Sequence, residues 1–358
     1  MSERFSILNS QFSTAQKSAL VAISGGVDSA VAAALTLHDG FDCAGAVMKL
    51  FEGGEKTVAN AQSVASKLRI PFHIFDFTER FSEHVIAPFV DDYHQGRTPN
   101  PCVVCNRRIK FGEFVDKALE LEKGCIVTGH YAQIECDANG RYLLKKGADP
   151  AKDQSYVLYT LTQEQLARTR FPLGVLLKSQ VREIAREMDF KYMPGDESQD
   201  ICFIPDGDYV GFIKKYTGTE PRTGRFVDTD GNDLGENNGV ISYTVGQRRG
   251  LGLAMPHPSY VLEIRPKDNT VVVGKDEQLY SKSLRASEIN LIPFDKLDAP
   301  LRAQVKIRYA HNGSPAMVSQ TGEDTLHIEF DEPQRAITKG QSAVIYDGDI
   351  VIGGGTII

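Results

Sequence analysis

The stretch from Val21 to Leu35, VAISGGVDSAVAAAL, constrains this chain more than any other. A short apolar run meets two glycines, and the alanine-rich run behind them favours helix. A strand that turns through Ser-Gly-Gly into a helix leaves backbone N–H groups unpaired at the helix N-terminus. There the helix dipole reinforces them and favours a bound anion. Phosphate is the expected occupant, with Ser24, Ser29 and the N–H groups of Gly25 and Gly26 turned toward it. If the turn served structure alone, Asp28 or Ser29 would be its N-cap. The chain has neither the G-x-x-x-x-G-K-[ST] of a Walker A loop nor G-x-G-x-x-G behind a strand.

The same alternation continues. SALVAIS, CAGAVMKL, PFHIFDF and CIVTGH read as strands, separated by helical patterns such as Ala61, Val64, Ala65, Leu68 and Phe111, Phe114, Val115, Ala118, Leu119. This βαβ rhythm predicts an α/β fold with a doubly wound, mostly parallel sheet. A nucleotide loop after its first strand would sit where such sheets bind ligands. Beyond about Gly211 the rhythm stops. ISYTVGQ, SYVLEIRP, NTVVVGK, LRAQVKIRYA, TLHIEF and SAVIYDGDIVIGGGTII read as strands between Gly, Asn, Asp and Pro turns. The expected organisation is an α/β domain over 1–210, a small β-rich domain over 211–286 and a second β domain over 287–358.

With 358 residues and 41% hydrophobic side chains, the chain can bury several cores. No run of signal-peptide or membrane-spanning length is present, so a cytoplasmic protein is expected. Six cysteines in that length are too few for a disulfide scaffold. A formal net charge of −7 speaks against nucleic-acid binding through global charge, though not against a local basic groove.

Two further stretches carry chemistry. GRTPNPCVVCNRRIKF, Gly96 to Phe111, sets Cys102 and Cys105 in C-x-x-C spacing beside Arg97, Arg107, Arg108 and Lys110, cations that favour a thiolate. GDESQDICFIP, Gly195 to Pro205, carries Cys202, whose bland reading is a small buried hydrophobe between Ile201 and Phe203. Zinc would need a second ligand pair, and Cys43, Cys125, Cys136 and Cys202 stand singly, so no metal site is expected in the cysteines.

SGGVDS resembles the pyrophosphate loop of the PP-loop ATP pyrophosphatases, adenine nucleotide alpha hydrolase-like proteins in which ATP adenylates a substrate oxygen. Together with TPNP-x-x-x-CN-x-x-IKF, GHYA, KDQSY, SQDICFI, YTVGQRRGLG and GQSAVIYDGD-x-x-x-GGG, it resembles the bacterial tRNA-uridine 2-sulfurtransferases, the MnmA thiouridylases. The resemblance runs through nearly the whole chain. It implies a PP-loop domain, a small central domain and a C-terminal β-barrel. It also implies ATP-dependent 2-thiolation of the wobble uridine of the tRNAs for Glu, Gln and Lys, with ATP and Mg²⁺, and with a desulfurase or sulfur-relay protein as donor. Carried over, Ala22, Ile23, Ser24, Gly25, Gly26, Val27, Asp28, Ser29, Met48 and Gly129 would contact ATP. Asn100, Pro101 and Cys102 would lie at the target base. His130, Lys152, Asp153, Gln154, Arg308, Tyr309 and Gln341 would contact tRNA. Cys105 would be the nucleophile and Cys202 the persulfide carrier, joined by a disulfide after turnover. Where this chain has Cys102, many family members have an aspartate proposed as proton shuttle, and Asp153 is the substitute candidate.

Overall fold

The computed structural model describes residues 17–190 and 201–358, which fall into two compact units. Among the described residues, unit 1 comprises 17–85, 102–190 and Gly348–Ile352; unit 2 comprises Ile86–Pro101, 201–347 and Gly353–Ile358.

In unit 1 the strands are β1 (Ser18–Ala22), β2 (Asp42–Lys49), β3 (Phe72–Asp76), β4 (Cys125–Val127), β5 (Ala132–Cys136), β6 (Tyr142–Lys146) and β7 (Thr169–Arg170). Five of them form a parallel sheet in the order β3-β2-β1-β4-β7, so β1 is central. Its neighbours pair on both sides, which is why Ala19, Leu20 and Val21 are completely buried and the run is apolar throughout. Helix α1 (Val27–His38) lies behind β1 and buries every residue from Ser29 to Thr36. Its alanines permit close approach to the strands. Helix α2 (Glu55–Leu68) buries the predicted stripe Ala61, Val64 and Ala65, with Leu68 packed against the same core.

The helical pattern around Phe111 takes an unusual form. An α-helix over Pro101–Cys105 passes into a π-helix over Asn106–Glu113 and then into an α-helix over Phe114–Glu120. Phe111, Phe114, Val115 and Ala118 are buried, whereas Leu119 remains 43% exposed. The wider π-turns rotate the stripe by more than a 3.6-residue period allows.

In unit 2, β8 (Gly224–Val227), β9 (Asp233–Asn237), β10 (Tyr260–Arg265) and β11 (Thr270–Gly274) form a sheet in the order β10-β11-β8-β9. Strands β12 (Tyr280–Leu291), β13 (Leu301–Lys306), β14 (Ser314–Gly322), β15 (Thr325–Arg335), β16 (Ser342–Asp347) and β17 (Ile350–Ile357) follow. β12 pairs with both β15 and β17, closing the sheet on itself as a barrel. The boundary expected at Ser287 falls inside continuous β12.

Two expectations are corrected. ISYTVGQ is not a strand: Val240–Ser242 is a 3₁₀ turn, bent at Gly239 (φ 91°) and Gly246 (φ 88°), and its apolar residues are buried by that bend. A helix also begins at the edge of the supposedly strand-only half. Tyr209–Thr217 is capped by the Asp208 carboxylate on Gly211 N at 2.9 Å and ended by Gly218 at φ 67°. Among the described residues, no helix is long and apolar enough to cross a membrane.

Candidate active site

The Ser24–Ser29 turn follows β1 at the carboxyl edge of the parallel sheet. Gly25 has φ 77°, and a Cβ there would stand 2.5 Å from Asn60 Cβ of α2, so only glycine fits. Gly26, in extended conformation, is the N-cap; Asp28 and Ser29 lie inside the first helical turn and cap nothing. The Ser29 hydroxyl donates to Gly26 O at 2.9 Å and accepts from Ser24 N at 3.1 Å, while Ser24 Oγ lies 3.2 Å from it. These bonds tie the loop into a fixed ring above a helix of 12 residues, whose first N–H groups have no partner four residues back. Met48 is at the same edge, two residues beyond Ala46, which pairs with Ala22. Gly129 closes the other side: a Cβ there would lie 3.1 Å from Asp28 C and Ser29 N.

Sequence reasoning missed the partner of this loop. Lys178, first residue of the helix Lys178–Glu187 and 8% exposed, places its ammonium 2.6 and 2.7 Å from the two carboxylate oxygens of Asp28. The buried Tyr131 hydroxyl donates to the same carboxylate at 2.8 Å, and the ammonium lies 5.6 Å from the Tyr131 ring centroid. In sequence, Lys178 is one basic residue in LLKSQ, with no motif to mark it.

The Lys152–Gln154 segment supports Tyr131. Gln154 Oε1 accepts from Tyr131 N at 3.0 Å, and Gln154 N donates to Tyr131 O at 2.9 Å. The Asp153 carboxylate accepts from Gly147 N, Ser155 N and the Ser155 hydroxyl at 2.9 to 3.0 Å. Such saturation suits a structural brace better than the substitute proton shuttle. His130 is buried between the rings of Phe111 and Phe171, with Nδ1 2.7 Å from Thr128 Oγ1. Burial, with help from Lys110, holds its pKa well below 6.5, so the ring is neutral.

Cys102 and Cys105 stand on the helix before the π-turn. Cys102 reaches solvent and Cys105 is buried. The expectation that the basic cluster lowers the thiol pKa fails at Cys102. Protein crowds its other sides, and that desolvation raises the thiol against the opposing pull of Lys110. Arg107 and Arg108 point outward, and Arg97 bonds Asp92 through Nε at 2.6 Å. Cys43 is buried and pushed up to about 12, and Cys125 is raised by burial too, which makes both unreactive. Among the described residues, no group of three His, Cys, Asp or Glu side chains is placed to hold a metal.

In unit 2, Cys202 is exposed, contrary to the bland reading of a buried hydrophobe. The neighbouring Phe203 is the buried one, its ring 5.4 Å from Phe89 and 5.1 Å from Phe212. Residues 195–200 of that motif lie outside the described residues. Arg308 is exposed with Nη1 on Arg335 O at 3.2 Å; Tyr309 is 46% exposed, and the Lys306 ammonium lies 5.9 Å from its ring. Asn100 is half-buried and Pro101 buried. Gln341 turns its amide onto the carbonyls of Thr98 and Pro99.

Comparison with known proteins accounts for nearly the whole chain. Residues 17–206 match the family described as tRNA methyl transferase HUP domain. Residues 210–275 match its PRC-barrel domain, and 281–357 match an aminomethyltransferase beta-barrel domain. A tRNA-specific 2-thiouridylase MnmA from Clostridioides difficile is 49% identical, over 95% of this chain and 98% of that one. Proteins of the same name from Acetivibrio thermocellus and Carboxydothermus hydrogenoformans are 47% and 46% identical, each over 96% of this chain. At that identity and coverage, the chain belongs to the MnmA family of tRNA-specific 2-thiouridylases.

Proposed function

We propose that the protein thiolates C2 of the wobble uridine of tRNA, consuming ATP and releasing AMP and pyrophosphate. The observation that carries the reading is the Ser24–Ser29 ring at the N-terminus of α1, an anion cradle with a lysine-paired carboxylate in it. A C2 carbonyl oxygen leaves poorly. Attack of that oxygen on the α-phosphorus of ATP expels pyrophosphate and converts it to an adenylate, which leaves as AMP. The loop N–H groups and α1 hold the phosphates, and Met48 and Gly129 line the nucleotide's flanks. Mg²⁺ would be held here by the phosphates of ATP and by water, since both oxygens of Asp28, the carboxylate of the loop, are taken by the Lys178 ammonium. It would neutralise charge on the departing pyrophosphate.

Sulfur arrives as a persulfide on the exposed Cys202. Two routes balance. In one, the terminal sulfur attacks C2, AMP departs, and the Cys105 thiolate then attacks Cys202 Sγ, freeing the thiouridine. In the other, Cys105 first releases sulfide, which attacks C2. Both leave a Cys105–Cys202 disulfide that an external thiol must reduce. Asn100, Pro101 and Cys102 receive the base. Lys152, Arg308 and Tyr309 engage RNA backbone and bases, whereas His130, Asp153, Gln154 and Gln341 have their polar groups buried or bonded to protein partners. The substrate tRNAs are those for Glu, Gln and Lys, the donor is a cysteine desulfurase or relay protein, and the setting is the cytoplasm.

The domain name "tRNA methyl transferase" raises methyl transfer as a second reading. A sulfonium methyl donor leaves as a neutral thioether and has no use for an anion cradle. One experiment separates the readings: purified protein, tRNA, ATP, Mg²⁺ and a desulfurase with cysteine, followed by nucleoside analysis. 2-Thiouridine with tRNA-dependent pyrophosphate release is expected, at least a hundredfold lower for Cys105→Ser and Cys202→Ser and within about threefold of wild type for Cys102→Ser. A methylated nucleoside, or pyrophosphate release indifferent to tRNA, would overturn the reading.

A further inference from the structure

Gln341 precedes β16 and is half-buried. Its side-chain amide donates to Thr98 O at 2.9 Å and to Pro99 O at 3.3 Å. The bonds run from residues 339–341 to residues 98–99, with all partners in unit 2. They do not stand alone. Thr98 N donates to Lys339 O at 2.8 Å, so Lys339 and Gln341 grip the Thr98–Pro99 segment from both sides of Gly340. Gly340 has φ 88°, and a Cβ there would lie 3.0 Å from Arg97 Cβ and from Thr98 O, so the two backbones approach as closely as glycine allows.

Both sides of this junction are fixed. Gly340 N donates to Ile357 O at 2.9 Å, and Ile357 N to Gln341 O at 2.8 Å, which anchors the grip in β17. Opposite it, Arg97 N donates to Asp92 O at 2.8 Å while Arg97 Nε bonds the Asp92 carboxylate at 2.6 Å. Thr98 contributes its carbonyl and N–H rather than its hydroxyl, whose oxygen is buried with no hydrogen-bond partner among the described residues. The residue immediately after the gripped pair is Asn100, followed by Pro101 and Cys102.

We infer that Gln341 is a positioning residue: it fixes the Thr98–Pro99 backbone, and through it Asn100 and the start of the Pro101–Cys105 helix, the segment that receives the base. Its amide is spent on protein carbonyls, not held out for RNA. The C-terminal barrel thereby shapes the entry to the Pro101–Cys105 helix as well as offering surface to the substrate. This inference rests on the thiolation reading for its kinetic arm and on the fold alone for its structural arm.

The test uses Gln341→Leu, which removes the donor at similar volume, and Gly340→Ala, which strains the same junction while leaving the Gln341 amide in place. Hydrogen exchange of the RNA-free protein should show the Thr98 amide exchanging at least tenfold faster in both variants, with unchanged exchange in β1 and α1. With tRNA, single-turnover thiolation should fall about tenfold in both while tRNA affinity stays within twofold. An RNA-contact role predicts the reverse split for Gln341→Leu: weaker tRNA binding, unchanged turnover, and unaltered Thr98 exchange. That result would overturn the inference. Absence of thiouridine from the wild-type reaction would instead strike the thiolation reading and leave the exchange result to decide the grip. If Gly340→Ala does not fold, Gln341→Leu alone decides.

Discussion

Asp28 places a carboxylate inside a loop suited to an anion, and at the residue scale Lys178 removes that contradiction. With its ammonium on both carboxylate oxygens and Tyr131 on one of them, the loop meets phosphate without a bare negative charge. Lys178→Met should therefore destabilise the fold by about 1–3 kcal/mol, the usual cost of stranding one partner of a charged hydrogen bond. The urea midpoint reads it, and Asp28→Asn in the same chain should recover at least half. Additive losses in the double variant would show that the pair does not act as a unit. Asp28→Ala alone is a poor probe of nucleotide binding, because it strands a buried ammonium.

At the scale of elements, the site depends on the close meeting of the end of β4 with the first turn of α1. Gly129 has no side chain because Asp28 and Ser29 occupy the space. Gly129→Val should push the start of α1 aside and raise the KM for ATP about tenfold, with tRNA affinity unchanged in a binding assay; an unaltered KM would count against the loop as the nucleotide site. This level of organisation was largely legible. The apolar runs and the Ala61-to-Leu68 spacing mark the sheet and α2 because buried strands and amphipathic helices leave periodic traces. Other parts left none. The π-turns after Cys105 follow a period that a search at 3.6 cannot register, and ISYTVGQ alternates like a strand although two left-handed glycines fold it into a turn. Lys178 and Tyr131 come together with Asp28 only in three dimensions, from positions 150 and 103 residues away. Gln341 is in the same class: its partners lie 243 and 242 residues back.

For the whole molecule, two histidines with depressed pKa, one buried and one half-buried, set an acid limit. His130 is held below its ordinary pKa by burial and by Lys110, and His311 by burial with Arg308 and Lys306. The folded pKa is the lower one, so as pH falls through the unfolded value near 6.5 the unfolded chain takes up protons that the fold does not. Stability should fall with pH below that point, by up to about 1.4 kcal/mol per pH unit for the buried His130 and by less for the half-buried His311. Melting curves between pH 7.5 and 5.5 should show this, with a shallower slope for His130→Gln; an identical slope would mean that His130 is not the sensor.

β17 has a consequence for how the protein is made. Ile350 and Val351 complete the edge of the β5–β6 hairpin in unit 1, and Lys146 Nζ reaches Gly348 O across 202 positions, whereas residues 353–357 of the same strand pair with β12 in unit 2. A ribosome that has released the entire nucleotide-loop region still leaves that hairpin with an open edge. The missing strand emerges only after the chain of the barrel has been synthesised. Throughout that interval, an exposed strand edge is available to any passing chain, and a protein cut short before residue 348 would carry that sticky edge permanently.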